Sequence, residues 1–340
     1  MYGQLIKSKY LVLNMLGRGV YSKVWLTYRI EKEDFVALKM IHEEDDATAL
    51  REIDINKKFD KSSKLKIMLD SFEFMKDKDK YFCLVFPLYG GTVYDLLKDN
   101  TFTEKHLDNI FNQIKVLLKE LHTKHRMIHG DIKPENFSYA GKNPICEDLI
   151  NRFHKLGGIK AFKTDDISLD EACKKLVKEL LNDDDYNSSN FDVYNSSNED
   201  SNENDSADEE SENSSFTTVS DSSSTSTSVY DSLSDLSDDL EVYKLSEEEL
   251  DNLTVFLIDY SHIHSLDEDL IFEPTRYYRC IATLEKKPAG FYKDTYALAC
   301  SMYELQTGDV FVDPQSDNKD KEQVELIKEN FHKIEKWLNK

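Results

Sequence analysis

The spacing of the apolar residues changes once along this chain, and that change limits the folds open to it. Residues 10 to 40 run YLVLNMLG, KVWLTYRI and FVALKMI, alternating apolar and polar positions around a Gly-rich turn. Such alternation, rich in β-branched and aromatic residues, predicts three antiparallel strands. ATALREIDINKKF then reads as a helix, and the continuous apolar run YFCLVFPLY as a buried strand. Beyond Gly90 and Gly91 the period lengthens. Thr92 and Asp95 fit a capping box, and Leu107, Ile110, Phe111, Ile114, Leu117, Leu118 and Leu121 keep helical spacing. KDTYALACSMYEL at 293–305, and a last helix carrying Val324, Ile327, Phe331, Ile334 and Leu338, continue that pattern. The predicted class is α+β and bilobal. A small β-rich lobe covers 10–89 after an N-terminal extension over 1–9, and a larger α-helical lobe covers 90–160 and 251–340.

Residues 161–250 interrupt the helical lobe. Leu169, Ala172, Cys173, Leu176, Val177, Leu180 and Leu181 form an apolar stripe behind a capping box of Ser168 and Glu171, which predicts a helix over 168–181. The stripe either packs on the body of the protein or receives a partner. The tract that follows is Ser-rich, acidic and too poor in apolar residues to offset the entropy of ordering, so it is expected to be a long disordered insert. Residues 182–250 hold 21 acidic side chains and one lysine, Lys244, and so carry nearly all of the net charge of −23. The remainder is 45 acidic against 42 basic residues, an ordinary balance that argues against general nucleic-acid affinity.

Five widely spaced cysteines without a CxxC pair suggest a reducing compartment. The opening MYGQLIKSKY has no apolar core of a signal peptide, and no run approaches membrane-spanning length. These features are read as a soluble monomer in the cytoplasm or nucleus.

Four stretches carry chemistry. In LGRGVYSKV (Leu16, Gly17, Arg18, Gly19, Val20, Tyr21, Ser22, Lys23, Val24), Gly17 and Gly19 would let backbone approach phosphates closely and Val24 would cover an adenine ring. A plain hairpin turn would look similar. Lys39 lies in the apolar run VALK and needs an anionic partner, which Glu52 on the following helix can supply; such a pair fixes the lysine on the α- and β-phosphates of ATP. IHGDIKPENF at 128–137 is the most specific string. There Asp131 would orient a substrate hydroxyl and accept its proton, Lys133 would neutralise the γ-phosphate, Asn136 would hold Mg²⁺, and His129 would brace the loop. VFLIDYS supplies a second metal-binding acid, Asp259, followed by Tyr260 and Ser261 where Phe and Gly are usual. Asp294, on a helix after TRYYR, would brace the backbone around Asp131.

LHTKHRMIHGDIKPEN, VYSKVWL, TALREI and TRYYR resemble the SR-protein kinases, serine/threonine kinases of the CMGC group, over residues 9–142 and 253–315. The resemblance implies a bilobal protein-kinase fold, ATP and Mg²⁺ as cofactors, and protein substrates, specifically Arg/Ser-rich RNA-processing proteins. It implies that Phe86 closes the back of the adenine pocket above Ala37, and that the Pro87 carbonyl and the Tyr89 amide pair with adenine. It also accounts for the insert, since that family carries a long spacer where Asp259 here lies 123 positions after Asn136. Loop-closure entropy grows only logarithmically with length, so such an insertion costs on the order of 2 kcal/mol. Gly130 stands where many kinases have an arginine that clamps a phosphorylated loop, so activity without such phosphorylation is expected. Only 26 residues follow Pro314, and Ala282 takes the place of a glutamate that the family pairs with a late arginine; the helical lobe is read as shortened. Two other functions compete with this one: a pseudokinase scaffold, and an acidic module for binding basic proteins. Neither explains why Lys39, Glu52, Asp131, Lys133, Asn136 and Asp259 occur together.

Overall fold

The computed structural model describes residues 1–19, 22–142, 144–181, 244–268, 274–288 and 290–340. Val20, Tyr21 and the tract expected to be disordered, 182–243, lie outside the described residues. The first lobe is built on β1 (Leu5–Ile6), β2 (Tyr10–Arg18), β3 (Ser22–Arg29) and β4 (Asp34–His42), followed by α1 (Asp46–Lys58), β5 (Asp70–Lys76) and β6 (Asp79–Pro87). Its six strands are antiparallel in the order β1-β2-β3-β4-β6-β5. Both edges differ from the sequence reading. Residues 1–9 contribute β1, with Leu5 opposite Leu11, and DSFEFMK forms β5 against β6. A two-residue strand has no period to detect, and β5 buries none of its side chains fully, so neither edge stands out in the sequence.

The second lobe begins with β7 (Gly91–Thr92) and α2 (Val93–Asp99), whose start is closed by the expected capping box of Thr92 and Asp95. Then come α3 (Glu104–Lys124), β8 (Met127–Ile128), β9 (Phe137–Tyr139), α4 (Pro144–Lys155), α5 (Gly158–Phe162) and α6 (Leu169–Leu181). After the undescribed tract follow α7 (Glu247–Asp251), β10 (Val255–Leu257), β11 (His264–Ser265), α8 (Ile281–Leu284), α9 (Tyr292–Thr307), α10 (Lys319–Asn330) and α11 (Glu335–Leu338). The core of this lobe sets Leu107, Ile114, Leu118 and Leu121 of α3 against Leu298, Met302 and Leu305 of α9. No helix among the described residues is long and apolar enough to cross a membrane. All five cysteines are buried and unbridged.

Two expectations need correction. The single C-terminal helix is broken by a 3-10 turn at Phe331–Lys333 between α10 and α11. The tighter turn brings Trp337 inward beside Ile327 and Ile334, where it meets Phe111 of α3, and leaves Phe331 exposed. Burying a tryptophan removes more apolar surface from water than burying the phenylalanine that a continuous helix would present. The second correction concerns where the inserted part begins. The apolar stripe of α6 is buried, but against α4, α5 and the sheet face that also carries Val24, Ala37 and Lys39: Cys173, Leu176, Val177 and Leu180 share a cluster with Leu149, Phe153 and Ile159, and with Leu11, Leu13 and Leu26. Phe153 meets the rings of Tyr28 and Phe35. The helical unit docked on the first lobe therefore starts at 144, not 161.

Glu304 of α9 is buried and accepts a hydrogen bond from the Tyr278 hydroxyl at 2.5 Å. Burial pushes its carboxyl up from the ordinary 4.5 to about 7. The native state thus holds a proton that the unfolded chain releases, so stability falls as pH rises from about 4.5 to 7, by up to about 3 kcal/mol. Glu304→Gln should abolish this loss: melting at pH 8 should occur at higher temperature than for the parent, with the two curves converging at pH 5.

Candidate active site

Between the sheet and the helices lies a cleft of about 400 Å³. Leu16, Gly17, Arg18, Gly19, Ser22 and Val24 of the β2–β3 hairpin cover it, with Ala37 and Lys39 from β4. Phe86, Pro87, Leu88 and Tyr89 form its rear edge; Lys133, Glu135, Asn136, Ser138, Ile258 and Asp259 form its floor. The Gly19 amide donates to the Ser22 carbonyl at 2.8 Å, which closes the hairpin. A Cβ at Gly17 would meet no protein atom within 4 Å, so packing does not demand glycine there. Lys23 is the exception among the described hairpin residues. It is exposed and absent from the lining, because alternate residues of a strand face opposite sides and Val24, in register with Lys39, takes the cleft side.

Lys39 joins the two lobes. Its Nζ lies 2.8 Å from Oε2 of Glu52 on α1 and 3.3 Å from Oδ1 of Asp259. Burial works against the ammonium charge, but the Asp259 and Glu52 carboxylates outweigh it and raise the Lys39 pKa. At Asp259 burial opposes ionisation and the Lys39 ammonium outweighs it, aided by a hydrogen bond from Ser261, so the carboxyl titrates well below its usual range. Its side chain keeps 35% of its surface open to the cleft, whereas Glu52 keeps 1%. Asp259 adopts a left-handed backbone, φ 60°, two residues past the end of β10.

A second cluster centres on Asp131, which is buried beside the cleft and is not part of its lining. Oδ1 accepts from the amide of Thr275 at 3.0 Å and from its hydroxyl at 2.8 Å; Oδ2 lies 3.0 Å from Lys133 Nζ. Lys133 also donates to Thr275 Oγ1 at 2.8 Å. Asn136 Nδ2 donates to the Asp131 carbonyl at 2.7 Å and to Oδ2 at 3.2 Å. Burial again opposes charge at Asp131, and Lys133 with the Thr275 amide outweighs it, lowering the pKa.

The loop around Asp131 is braced from beneath. Asp294 accepts from the amides of His129 (2.7 Å) and Gly130 (3.0 Å) and pairs with His122 Nε2 at 2.8 Å. His129 is fully buried: Nδ1 accepts from the Asp131 amide, and Nε2 reaches the Ile258 carbonyl at 3.1 Å. Gly130 has φ +84°, and a Cβ there would come within 2.9 Å of the His262 carbonyl, so local geometry requires glycine.

The structure thus assembles Lys39, Glu52 and Asp259 on one side and Asp131, Lys133 and Asn136 on the other. Several residues in or beside the cleft were not singled out from sequence: Thr275, Glu135 and Ile258. Two had a local signal, since Thr275 opens the TRYYR string and Glu135 lies inside KPEN.

Residues 10–146 match the model of the protein kinase domain. A serine/threonine-protein kinase of Acanthamoeba polyphaga mimivirus is 30% identical over 166 residues, which is 46% of this chain and 31% of that protein. The serine/threonine-protein kinase SRPK of Physarum polycephalum is 33% identical over 39% of this chain and 34% of its own length. The serine/threonine-protein kinase clkA of Dictyostelium discoideum is 34% identical over 39% of this chain and 15% of its own. The chain spans about a third or less of the length of these relatives. A crystal structure of a kinase domain superposes with a TM-score of 0.55 at 17% identity, covering 93% of this chain and 69% of that one. The fold is that of a protein kinase.

Proposed function

We propose that this chain is a serine/threonine protein kinase of the cytoplasm or nucleus, which transfers the γ-phosphoryl group of ATP to a protein hydroxyl. The observation that carries the reading is the approach of Lys39, Glu52 and Asp259 to one another across the lobes, above the Asp131–Lys133–Thr275 cluster. Six polar groups with separate roles in phosphoryl transfer lie in or beside one cleft whose size suits a nucleotide. The bare Cα of Gly17 leaves room for phosphates beneath the hairpin, and Lys39 would hold the α- and β-phosphates. The Pro87 carbonyl and the Tyr89 amide would address the adenine edge. Mg²⁺ takes one or two protein oxygens plus phosphates and waters, and the Asp259 carboxylate and the Asn136 amide oxygen form such a pair, the Asn136 nitrogen being engaged by Asp131. When bound, the ion neutralises charge that develops between the β- and γ-phosphates.

Asp131 is the positioning group for the incoming hydroxyl. Its carboxylate is held ionised by Lys133 and oriented by Thr275, so one oxygen can accept the hydroxyl proton as the new O–P bond forms. With a loose transition state this calls for placement more than for a strong base. Lys133 bridges Asp131 and the γ-phosphate.

The substrates are proposed to be basic, in keeping with Arg/Ser-rich proteins. Glu135 lines the cleft, and its Oε2 is buried with no hydrogen-bond partner among the described residues. Burial pushes its carboxyl up, and Asp95 adds a second negative charge nearby. A guanidinium would supply the missing donors in a forked geometry. Steady-state kinetics on serine peptides with and without arginines tests both levels. Glu135→Gln should raise KM for the arginine peptide about tenfold or more with kcat little changed, and should leave the arginine-free peptide unaffected. No transfer from ATP to any peptide would sink the kinase reading itself.

A further inference from the structure

Resting on that reading, we propose that Arg51 is a positioning residue that locks α1 to the segment after Asp259 through carboxylates built into the chain, doing what an added phosphate does in switchable kinases. Glu52 reaches Lys39 only while α1 lies close to the second lobe, so something must hold the helix in. In many kinases a phosphorylated side chain, bridged by arginines, orders this segment. Here Gly130 offers no side chain for such a bridge. Instead Arg51, the residue before Glu52, sends Nη1 to the Ile263 carbonyl at 3.2 Å and to Oε2 of Glu268 at 3.2 Å. On the opposite side of the same segment, Arg126 Nη2 lies 3.7 Å from Asp267 Oδ1, and the Arg126 carbonyl accepts from the Leu266 amide at 3.1 Å. Two adjacent carboxylates, Asp267 and Glu268, thus meet two arginines with a combined charge close to that of one phosphate.

Deeper contacts reinforce the lock. The Tyr260 ring is fully buried against Phe59 at the end of α1, and its hydroxyl donates to the Leu65 carbonyl at 3.0 Å. A phenylalanine there could not make that bond. Arg51 and Glu268 remain partly exposed, with 30% and 40% of their side-chain surface open, so each contact is weak alone; its effect lies in which position of α1 it favours.

The test is a double-mutant cycle of Arg51→Ala, Glu268→Ala and the pair, read in two ways on the full chain made in bacteria and treated with phosphatase. Amide exchange of 50–56 and 260–266 reads the lock without any need for activity, and peptide phosphorylation at saturating ATP reads its consequence. Each single variant should speed exchange in both segments and lower kcat up to about fivefold at unchanged peptide KM, and the pair should do no more than Arg51→Ala alone, which removes the bond to the Ile263 carbonyl as well. Arg51→Lys should recover part of the loss. Unchanged exchange in Arg51→Ala, or strictly additive effects, would overturn the lock. Faster, non-additive exchange in a protein that transfers no phosphate would uphold the lock and refute the kinase reading instead.

Discussion

Asp131→Asn should lower kcat by about 10²–10⁴-fold while leaving ATP affinity within a small factor of the parent. Asparagine keeps the size of the side chain and one oxygen that can accept from Thr275, so the loop braced by Asp294 stays in place. The second oxygen, which faces Lys133 at 3.0 Å, becomes an NH₂ group. The amide cannot take a proton from a hydroxyl, and it repels Lys133 instead of holding it. Nothing in the change touches the hairpin, Lys39 or the adenine edge, so nucleotide binding should persist. Single-turnover transfer with ATP titrated in parallel checks both halves, and phosphorylation at the parental rate would remove Asp131 from the mechanism.

Lys39→Met should abolish measurable turnover and destabilise the fold as well. The ammonium stands between Glu52 and Asp259, and its loss leaves two carboxylates facing one cavity. Removing one partner of a buried ion pair costs about 3–5 kcal/mol; the lower end applies here because Asp259 is a third exposed. Burial already raises the Glu52 carboxyl, and without Lys39 it rises further. A group whose folded pKa lies above its unfolded value contributes stability at low pH and loses it as pH rises. The deficit of Lys39→Met against the parent should therefore be larger at pH 8 than at pH 5. Melting curves at the two values test the sign, and a deficit independent of pH would show that Glu52 does not take up the proton.

Local rules read much of this chain correctly because its elements satisfy them one at a time. The alternation in β2, β3 and β4, the stripe of α3 and the capping box at Thr92 and Asp95 each involve residues within one or two turns of each other. Lys39 was also legible, since a charge in an apolar strand is costly without a partner, and Asp131, Lys133, Asn136 and Asp259 each stand in a short string whose spacing points to phosphoryl transfer. Lys23 shows the limit of a contiguous motif: nine successive residues read as one site, but a strand can turn only alternate side chains toward it.

What the sequence determined by itself is the set of elements and the identity of the charged groups, because period, capping and the desolvation cost of charge are properties of short stretches. Tertiary structure decided which distant stretches share a surface. It brought Thr275 to Asp131 across 144 positions, Arg51 to Glu268 across 217, and the stripe of α6 onto β2 and β3. It also chose Trp337 over Phe331 for the core at the cost of a broken helix. Such pairings depend on the summed burial of many side chains, and no window of the sequence contains both members.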